Sequence, residues 1–214
     1  MMSRTAMAAL ALTLTGLSTP LYAAGLQGDA EAGTAKAAVC GACHGPTGNS
    51  GNPEWPNLAG QHHEYIIEQL KLLKSTARWA PVMNPMAAAL SEQDMADLAA
   101  YFEKQVLTGG EAEGDEWKAG AKLYRGGDAS RGIPACAACH GPKGMGNGPA
   151  RWPAVRAQQT TYVLSQLHNY AAKTRYSATA GKDTPAGAEL MYDIAKRLTE
   201  DDMKALAAYL RGLR

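Results

Sequence analysis

The sequence predicts an all-α protein made of two similar units, and three observations support this fold class. Apolar residues recur at helical intervals of three and four positions, and no strand-like alternation competes with them. Glycine and proline are frequent, with 23 and 11 residues, which indicates short helices joined by many turns. The chain also repeats itself along its length, which indicates a tandem pair of helical domains.

The repeat becomes visible when the chain is aligned on itself. The segment "CGACHGPTG" at 40–48 matches "CAACHGPKG" at 136–144, at an offset of 96 positions. Further matches follow at offsets of 97 and 108, and the longer offset places an insertion within roughly 176–189, which we expect to form a surface loop. The matched pairs at these two offsets include Trp55 with Trp152, Pro56 with Pro153, Gln61 with Gln158, Tyr65 with Tyr162, Gln69 with Gln166, Arg78 with Arg175 and Met83 with Met191.

Each unit is predicted to contain three helices in the same order. The first helices are predicted at 29–39 and 115–124, and each would begin at an aspartate, which is a favourable N-cap residue. The middle helix of the first unit is predicted at 62–74. The last helices would open with a variant of the capping box in which aspartate replaces glutamate: Ser91 with Asp94, and Thr199 with Asp202.

The first 24 residues are predicted to be a secretory signal peptide. Arg4 supplies the positive start, 6–17 supply the apolar stretch, and small residues near Ala23 and Ala24 supply the cleavage site. An apolar stretch of about 12 residues is too short to cross a bilayer, which takes roughly 20. We therefore expect an exported protein with an N-terminal domain at 25–107, a linker at 108–114 and a C-terminal domain at 115–214.

The cysteines of the repeated segment predict the cofactor. A thioredoxin-like dithiol needs a βαβ context, which the helical pattern lacks. A zinc site needs four ligands, and each unit offers two cysteines and one histidine close together. Covalent haem attachment accounts for every residue of C-x-x-C-H, so we expect two covalently bound haem c groups, with disulfide bonds or zinc as the alternatives. The predicted thioether residues are Cys40, Cys43, Cys136 and Cys139.

The histidine of each motif is predicted to bind the haem iron, and a methionine is predicted on the opposite side. The histidines are His44 and His140. Methionine opposite histidine is common in electron carriers and raises the reduction potential. Met83 and Met191 are matched in the repeat, whereas the rival Met86 has no methionine at its matched position.

A rigid proline follows each motif, and its carbonyl is predicted to support the iron-binding histidine. A ligating histidine usually donates its other ring N–H to a carbonyl, which fixes the tautomer. Pro56 and Pro153 lie in segments that cannot continue a helix, so their carbonyls are available. The preceding Trp55 and Trp152 would line the haem edge or simply pack in the core.

Five further polar side chains carry open interpretations. Tyr65 and Tyr162 suit either a hydrogen bond to a haem carboxylate or packing in the core. His62, His63 and His168 have no counterpart in the opposite unit, so we expect them to be exposed and to serve as no ligand of the haem iron. An iron bound by two histidines is the alternative.

The chain resembles class I cytochromes c, and in particular the dihaem cytochrome c4 family. The resemblance covers essentially the whole mature chain and is carried by "CGACHGPTG", "CAACHGPKG", "WPNLAGQHHEYIIEQL", "VMNPMAAALSEQDMADLAAYF" and "MYDIAKRLTEDDMKALAAYL". It implies two tandem class I cytochrome c domains related by a pseudo-two-fold, each wrapped around one covalent haem. It also implies the axial pairs His44 with Met83 and His140 with Met191.

The resemblance further implies periplasmic electron transfer between a quinol-oxidising bc complex, or another donor, and a terminal oxidase. Two six-coordinate irons leave no open position for a substrate, so we predict an electron carrier and not an enzyme. One alternative is the haem subunit of a larger dehydrogenase. The other is a dihaem peroxidase-like enzyme with one open iron.

The charge balance restricts the partners. The chain has 21 basic and 20 acidic residues, which gives no basic footprint for nucleic acid. It has no polybasic segment for a membrane surface, although a loose association with the membrane stays open. We expect a monomer whose partners are redox proteins.

Overall fold

The computed structural model describes residues 26–112, 114–176 and 184–213. Within these ranges the chain forms nine α-helices and one 3-10 turn, and its only strand-like pairing is two isolated bridges. The predicted all-α class is confirmed. The predicted signal peptide at 1–24 lies outside the described residues. Across the described ranges, every helix is too short or too polar to span a bilayer.

The helices fall into two groups that follow the repeat. The first unit contains α1 (Ala30–His44), α2 (His63–Lys74), α3 (Met83–Ala88) and α4 (Glu92–Lys104). The second unit contains α5 (Trp117–Gly126), a 3-10 turn (Ala129–Arg131), α6 (Ala137–His140), α7 (Thr160–Ala171), α8 (Ala186–Ala195) and α9 (Glu200–Gly212). Each unit thus has a first helix and a last helix with further helices between them.

The predicted helix starts are correct except for that of α5. The Asp29 carboxylate accepts a hydrogen bond of 2.8 Å from the backbone N–H of Glu31, and both capping boxes are present at the starts of α4 and α9. The prediction that Asp115 caps the second unit's first helix is wrong. That helix begins at Trp117, and the Asp115 carboxylate instead pairs with Lys118 on the surface.

The first and last helices of each unit cross at a glycine. A Cβ added at Gly33 would lie 2.2 Å from the backbone oxygen of Asp97 on α4, and one at Gly120 would lie 2.0 Å from that of Ala205 on α9. No side chain fits at such distances, so glycine alone permits the two backbones to approach this closely. Helix α2 packs against α4 of the first crossed pair, and α7 packs against α9 of the second.

The two units meet through a reciprocal set of hydrogen bonds. The Gln61 amide accepts from the backbone N–H of Ala154 and donates to its carbonyl, both at 2.9 Å. The matched Gln158 amide pairs in the same way with the backbone of Asn57, at 2.7 and 3.0 Å. Because residue pairs at the same offset exchange equivalent bonds, the units are related by a pseudo-two-fold.

The insertion of the second unit also contributes to this interface, at least at its described ends. The prediction of a surface loop over 176–189 is wrong at both flanks, since Tyr176 is buried and α8 begins at Ala186. Tyr176 and Tyr192 of the second unit form a core cluster with Leu72 and Ala77 of the first. Residues 177–183, between these flanks, lie outside the described ranges.

Candidate haem-binding sites

The cysteines and histidine of the first motif lie on the last turn of α1. Residues three and four positions apart share one face of a helix, so Cys40, Cys43 and His44 point the same way. Helix α1 ends immediately afterwards at Gly45, whose φ of 79° is a conformation that favours glycine. In the second unit Cys139 and His140 lie on the short helix α6, and Cys136 immediately precedes it; this helix ends at Gly141 with φ 76°.

Each motif histidine has one ring nitrogen committed to a proline carbonyl. The His44 Nδ1 lies 2.9 Å from the Pro56 carbonyl oxygen, and the His140 Nδ1 lies 3.0 Å from that of Pro153. Because a carbonyl only accepts, each Nδ1 carries the proton and donates it, and each Nε2 keeps a free lone pair. This is the tautomer that an iron ligand at Nε2 requires.

Burial keeps both histidines neutral at physiological pH. His44 is 6% exposed and His140 is half-buried. Burial lowers the pKa of His44, the Pro56 carbonyl opposes this fall, and the positive charge of Arg78 adds to it. Burial also lowers the pKa of His140 against the opposing effect of Pro153. A neutral imidazole is the form that binds a metal.

The four cysteines fit covalent attachment of a haem. All four are half-buried free thiols, so none is used in a disulfide bond. Burial raises the pKa of Cys40, and it raises the pKa of Cys136 to about 11. The Cys40 and Cys136 thiols are therefore neutral, and each packs against an apolar core cluster, as a thioether position on an apolar ring would.

Met83 is the first residue of α3, and the segment before it is held by Asn84. The buried Asn84 side chain donates to the carbonyls of Leu73 (2.7 Å) and Arg78 (2.9 Å) and accepts from the backbone N–H of Ala80 (2.7 Å). Arg78 thus interacts with both predicted ligand segments. Its carbonyl accepts a hydrogen bond from Asn84, next to Met83, and its positive charge adds to the effect of burial in lowering the pKa of His44. Met83 itself is half-buried, whereas Met86 is 40% exposed.

Met191 lies in the middle of α8 and is half-buried. The Trp152 indole lies against the first turn of this helix, since a Cβ added at Gly187 would be 3.6 Å from its Nε1. Trp152 precedes Pro153, whose carbonyl binds His140, so one short segment contacts both the histidine and the methionine helix. In the first unit Trp55 is also half-buried.

Two arginines at the interface, Arg175 (buried) and Arg78 (partly buried), are matched in the repeat, but the sequence assigned no role to either of them. Each donates one hydrogen bond to a glutamine of its own unit and one to a tyrosine of the other: Arg78 to Gln69 (2.9 Å) and Tyr162 (3.2 Å), and Arg175 to Gln166 and Tyr65 (2.9 Å). Tyr65 and Tyr162 therefore each accept a hydrogen bond from an arginine of the opposite unit. The matched positions of Arg78 and Arg175 in the repeat were the signal that could have found them.

Comparisons with known proteins agree with this geometry. The family model described as cytochrome c matches residues 30–105 and 117–214. Cytochrome c4 of Pseudomonas aeruginosa is 43% identical over 204 residues, which cover 95% of each chain. A thiosulfate dehydrogenase electron acceptor of Stutzerimonas stutzeri is 36% identical over 181 residues, covering 83% of this chain and 80% of that protein. The crystal structure of reduced recombinant cytochrome c4 from Pseudomonas stutzeri superposes with a TM-score of 0.80 at 39% identity, covering 87% of this chain and 100% of that one.

The two matched regions coincide with the two helical units, and each contains one C-x-x-C-H motif. An identity of 43% over 95% of both chains shows membership of the same family, and not only a shared fold. The chain is a member of the dihaem cytochrome c4 family, built from two tandem cytochrome c domains, and its cofactors are two covalently bound haem c groups.

Proposed function

We propose that this chain carries single electrons in the periplasm, from a quinol-oxidising bc complex or another donor to a terminal oxidase. The observation that carries the proposal is the duplicated arrangement of a neutral histidine, held by a proline carbonyl, with a matched methionine on a separate helix. When bound, haem c supplies a one-electron iron couple. The protein would hold each iron at both axial positions, which leaves no position for a substrate and favours a carrier over an enzyme.

Matched residues would hold the haem in the same way in both domains. Cys40 and Cys43 would form the thioether bonds of the first haem, and Cys136 and Cys139 those of the second. The Nε2 atoms of His44 and His140 would bind iron on one side. The sulfur atoms of Met83 and Met191 would bind it on the other, a ligand that raises the reduction potential.

The choice of Met83 over Met86 is supported by how each residue is held. The buried Asn84 side chain fixes the backbone that precedes Met83 through three hydrogen bonds. A ligand that must stay in place through repeated oxidation and reduction benefits from such support. Met86 is 40% exposed and lies on the solvent side of the same short helix.

Arg175, which is buried, and Arg78, which is partly buried, would offset the charge of the haem carboxylates. Among the hydrogen bonds and ion pairs of the described residues, those of Arg78 and Arg175 go to neutral glutamine and tyrosine groups. A buried cation is costly unless an anion accompanies it. Haem c brings two carboxylates. Burial lowers the pKa of the predicted axial ligand His44, and the positive charge of Arg78 lowers it further by a smaller amount, which supports a haem site near Arg78.

A second candidate function differs in the electron donor. Relatives named as thiosulfate dehydrogenase electron acceptors share 36% and 35% identity with this chain over more than four fifths of its length. On this hypothesis the chain would accept electrons from a separate dehydrogenase instead of a quinol-oxidising complex. The axial ligands and the residues that hold the haems would be the same.

The ligand assignment is tested by three alanine variants of the holoprotein. The weak near-infrared absorption band of sulfur bound to oxidised haem iron should lose about half its intensity in Met83→Ala and in Met191→Ala, because one of two equal sites is removed. Carbon monoxide should then bind the altered haem, and its potential should fall. Met86→Ala is the matched control and should leave the band unchanged. A band lost in Met86→Ala and kept in Met83→Ala would overturn the assignment for the first domain.

The two candidate donors are distinguished by stopped-flow reduction of the wild-type holoprotein. Fast reduction by a purified quinol-oxidising bc complex, with slow reduction by a thiosulfate dehydrogenase, supports the leading proposal. The reverse order of rates supports the second candidate. Rapid oxidation by a terminal oxidase is expected on the leading proposal, and its failure would contradict that part of it.

A further inference from the structure

A second cluster of metal-ligating side chains lies outside the haem sites, where α2 begins and α4 ends. His62, Glu64 and Glu103 each offer one ligand atom, and these atoms lie within 4.8 Å of one another. His62 and Glu64 are partly buried, and Glu103 is exposed. Glu64 and Glu103 line a groove between the two domains that His63 and Arg151 also line.

The tautomer of His62 is the one that a metal ligand needs. Its Nε2 lies 2.6 Å from the backbone carbonyl oxygen of Met145, in the second domain. A carbonyl cannot donate, so Nε2 carries the proton and Nδ1 presents a lone pair. Ligating histidines usually show this same hydrogen bond from the other ring nitrogen to a carbonyl. His62 is therefore oriented by one domain while it belongs to the other.

The Glu103 carboxylate is also held in place. The backbone N–H of His63 donates to its Oε1 at 3.2 Å, and the His63 Nδ1 lies 3.0 Å from its Oε2. The same Nδ1 lies 3.5 Å from Glu64 Oε2, so both carboxylates gather around one imidazole. Hydrogen-bonded carboxylates of this kind are typical of the shell around a bound metal ion.

We propose that His62 Nδ1 and the carboxylates of Glu64 and Glu103 bind one divalent ion of the first transition row, with Zn²⁺ as the type case. One imidazole and two carboxylates are ligands that such ions accept, and the two negative charges balance the charge of the ion. Tetrahedral zinc at about 2.0–2.1 Å from each ligand places ligand atoms about 3.3 Å apart. The ligand atoms now lie within 4.8 Å of one another and would move closer to reach that spacing when the ion binds.

The site belongs to the first domain alone. The positions matched to His62, His63 and Glu64 in the second domain are Gln159, Thr160 and Thr161, and the position matched to Glu103 is Arg211. The ligands are therefore not part of the haem-binding pattern that the two units share. The presence or absence of an ion at this site is therefore independent of the proposed electron-transfer function.

The second domain closes one side of the site. A Cβ added at Gly148 would lie 2.8 Å from Glu64 Oε2 and 3.2 Å from His62 Nδ1, so the backbone at Gly148 lies directly against the ligands. Together with the bond from His62 to Met145, this places the ion at the contact between the domains. All of its proposed ligands belong to the first domain, and the second domain contributes backbone contacts around them.

The test is calorimetric titration of chelator-treated holoprotein with Zn²⁺. We expect one saturable equivalent in the wild type. His62→Gln, which places at 62 the residue type found at 159, should weaken binding at least 100-fold, and Glu103→Gln should do the same. His63→Gln removes the support of Glu103 and should weaken binding 10–100-fold. His168→Gln is the matched control, since its imidazole pairs with a single exposed carboxylate, that of Glu200, and it should leave the affinity unchanged.

Folding of each variant is checked by an unchanged visible spectrum of both haems, and Glu103→Gln provides a second route if His62→Gln does not fold. The position of the ion is checked by anomalous diffraction at the zinc edge, with a peak expected between His62 and the two glutamates. Absence of saturable binding would overturn the proposal. So would affinity equal to wild type in both ligand variants, or a zinc peak at another site.

Discussion

Replacing Gln158 by alanine tests how strongly the domain interface depends on its buried hydrogen bonds. The Gln158 Oε1 accepts from the backbone N–H of Asn57 at 2.7 Å and from that of Gln159 at 2.9 Å, and its Nε2 donates to the Asn57 carbonyl at 3.0 Å. Asn57, Gln158 and Gln159 are all buried. The substitution therefore removes three hydrogen bonds and leaves their backbone partners without water to replace them.

The expected cost follows from these three bonds. A buried intramolecular hydrogen bond contributes about 1 kcal/mol net, and an unsatisfied buried group costs about 1–3 kcal/mol. We therefore expect Gln158→Ala to lower the free energy of unfolding by about 3 kcal/mol. The matched Gln61 makes the same three bonds, to both backbone groups of Ala154 and to the N–H of His62, so Gln61→Ala should cost a similar amount.

The assay is urea unfolding of the holoprotein, followed by far-ultraviolet circular dichroism and by the visible absorption of the haems. Gln27→Ala is the control, because Gln27 is exposed and its substitution should change the free energy by less than about 0.5 kcal/mol. If Gln158→Ala unfolds at the same urea concentration as Gln27→Ala, the interface does not depend on this side chain. That result would refute the expected contribution of the paired glutamines to the free energy of unfolding.

Three further predictions concern the structure around the sites. Gly120→Ala should destabilise the second domain by about 1–3 kcal/mol, because the new Cβ would lie 2.0 Å from a backbone oxygen of α9; a thermal melt with an unchanged midpoint would contradict this crossing. Asn84→Ala removes three buried hydrogen bonds next to the predicted methionine ligand, so it should weaken the near-infrared band as well as stability; a full band would show that the support is unnecessary. Hydrogen bonds from the Asp29 N–H and Lys36 hold the pKa of Asp97 at about 2, below its ordinary 3.8. Since the folded-state pKa is depressed, the stability that Asp97 contributes is present above about pH 4 and is lost as the pH falls towards about 2. Asp97→Asn should flatten this part of a plot of urea midpoint against pH, and an unaltered slope would contradict the assignment.

The sequence determined those features of the protein that depend on residues close together in the chain. The C-x-x-C-H motifs, their repetition and the capping boxes at Ser91 and Thr199 are local patterns, and each predicts a structure within one turn of helix. The all-α class followed from apolar spacing in the same way. The start of α5 was missed because aspartate N-caps are only a preference, and at Asp115 the carboxylate pairs with Lys118 instead.

Other features depended on residues about 100 positions apart and came only from the tertiary structure. The sequence alignment paired Arg78 with Arg175 and Gln61 with Gln158, yet it gave no sign that these side chains face the opposite domain. Whether a polar side chain is exposed or bonded to a distant backbone depends on how the two units dock, and one sequence does not record that. His62 has no counterpart in the repeat, so the sequence predicted an exposed side chain outside the haem sites. The structure shows it partly buried, because its Nε2 contacts the Met145 carbonyl of the second domain.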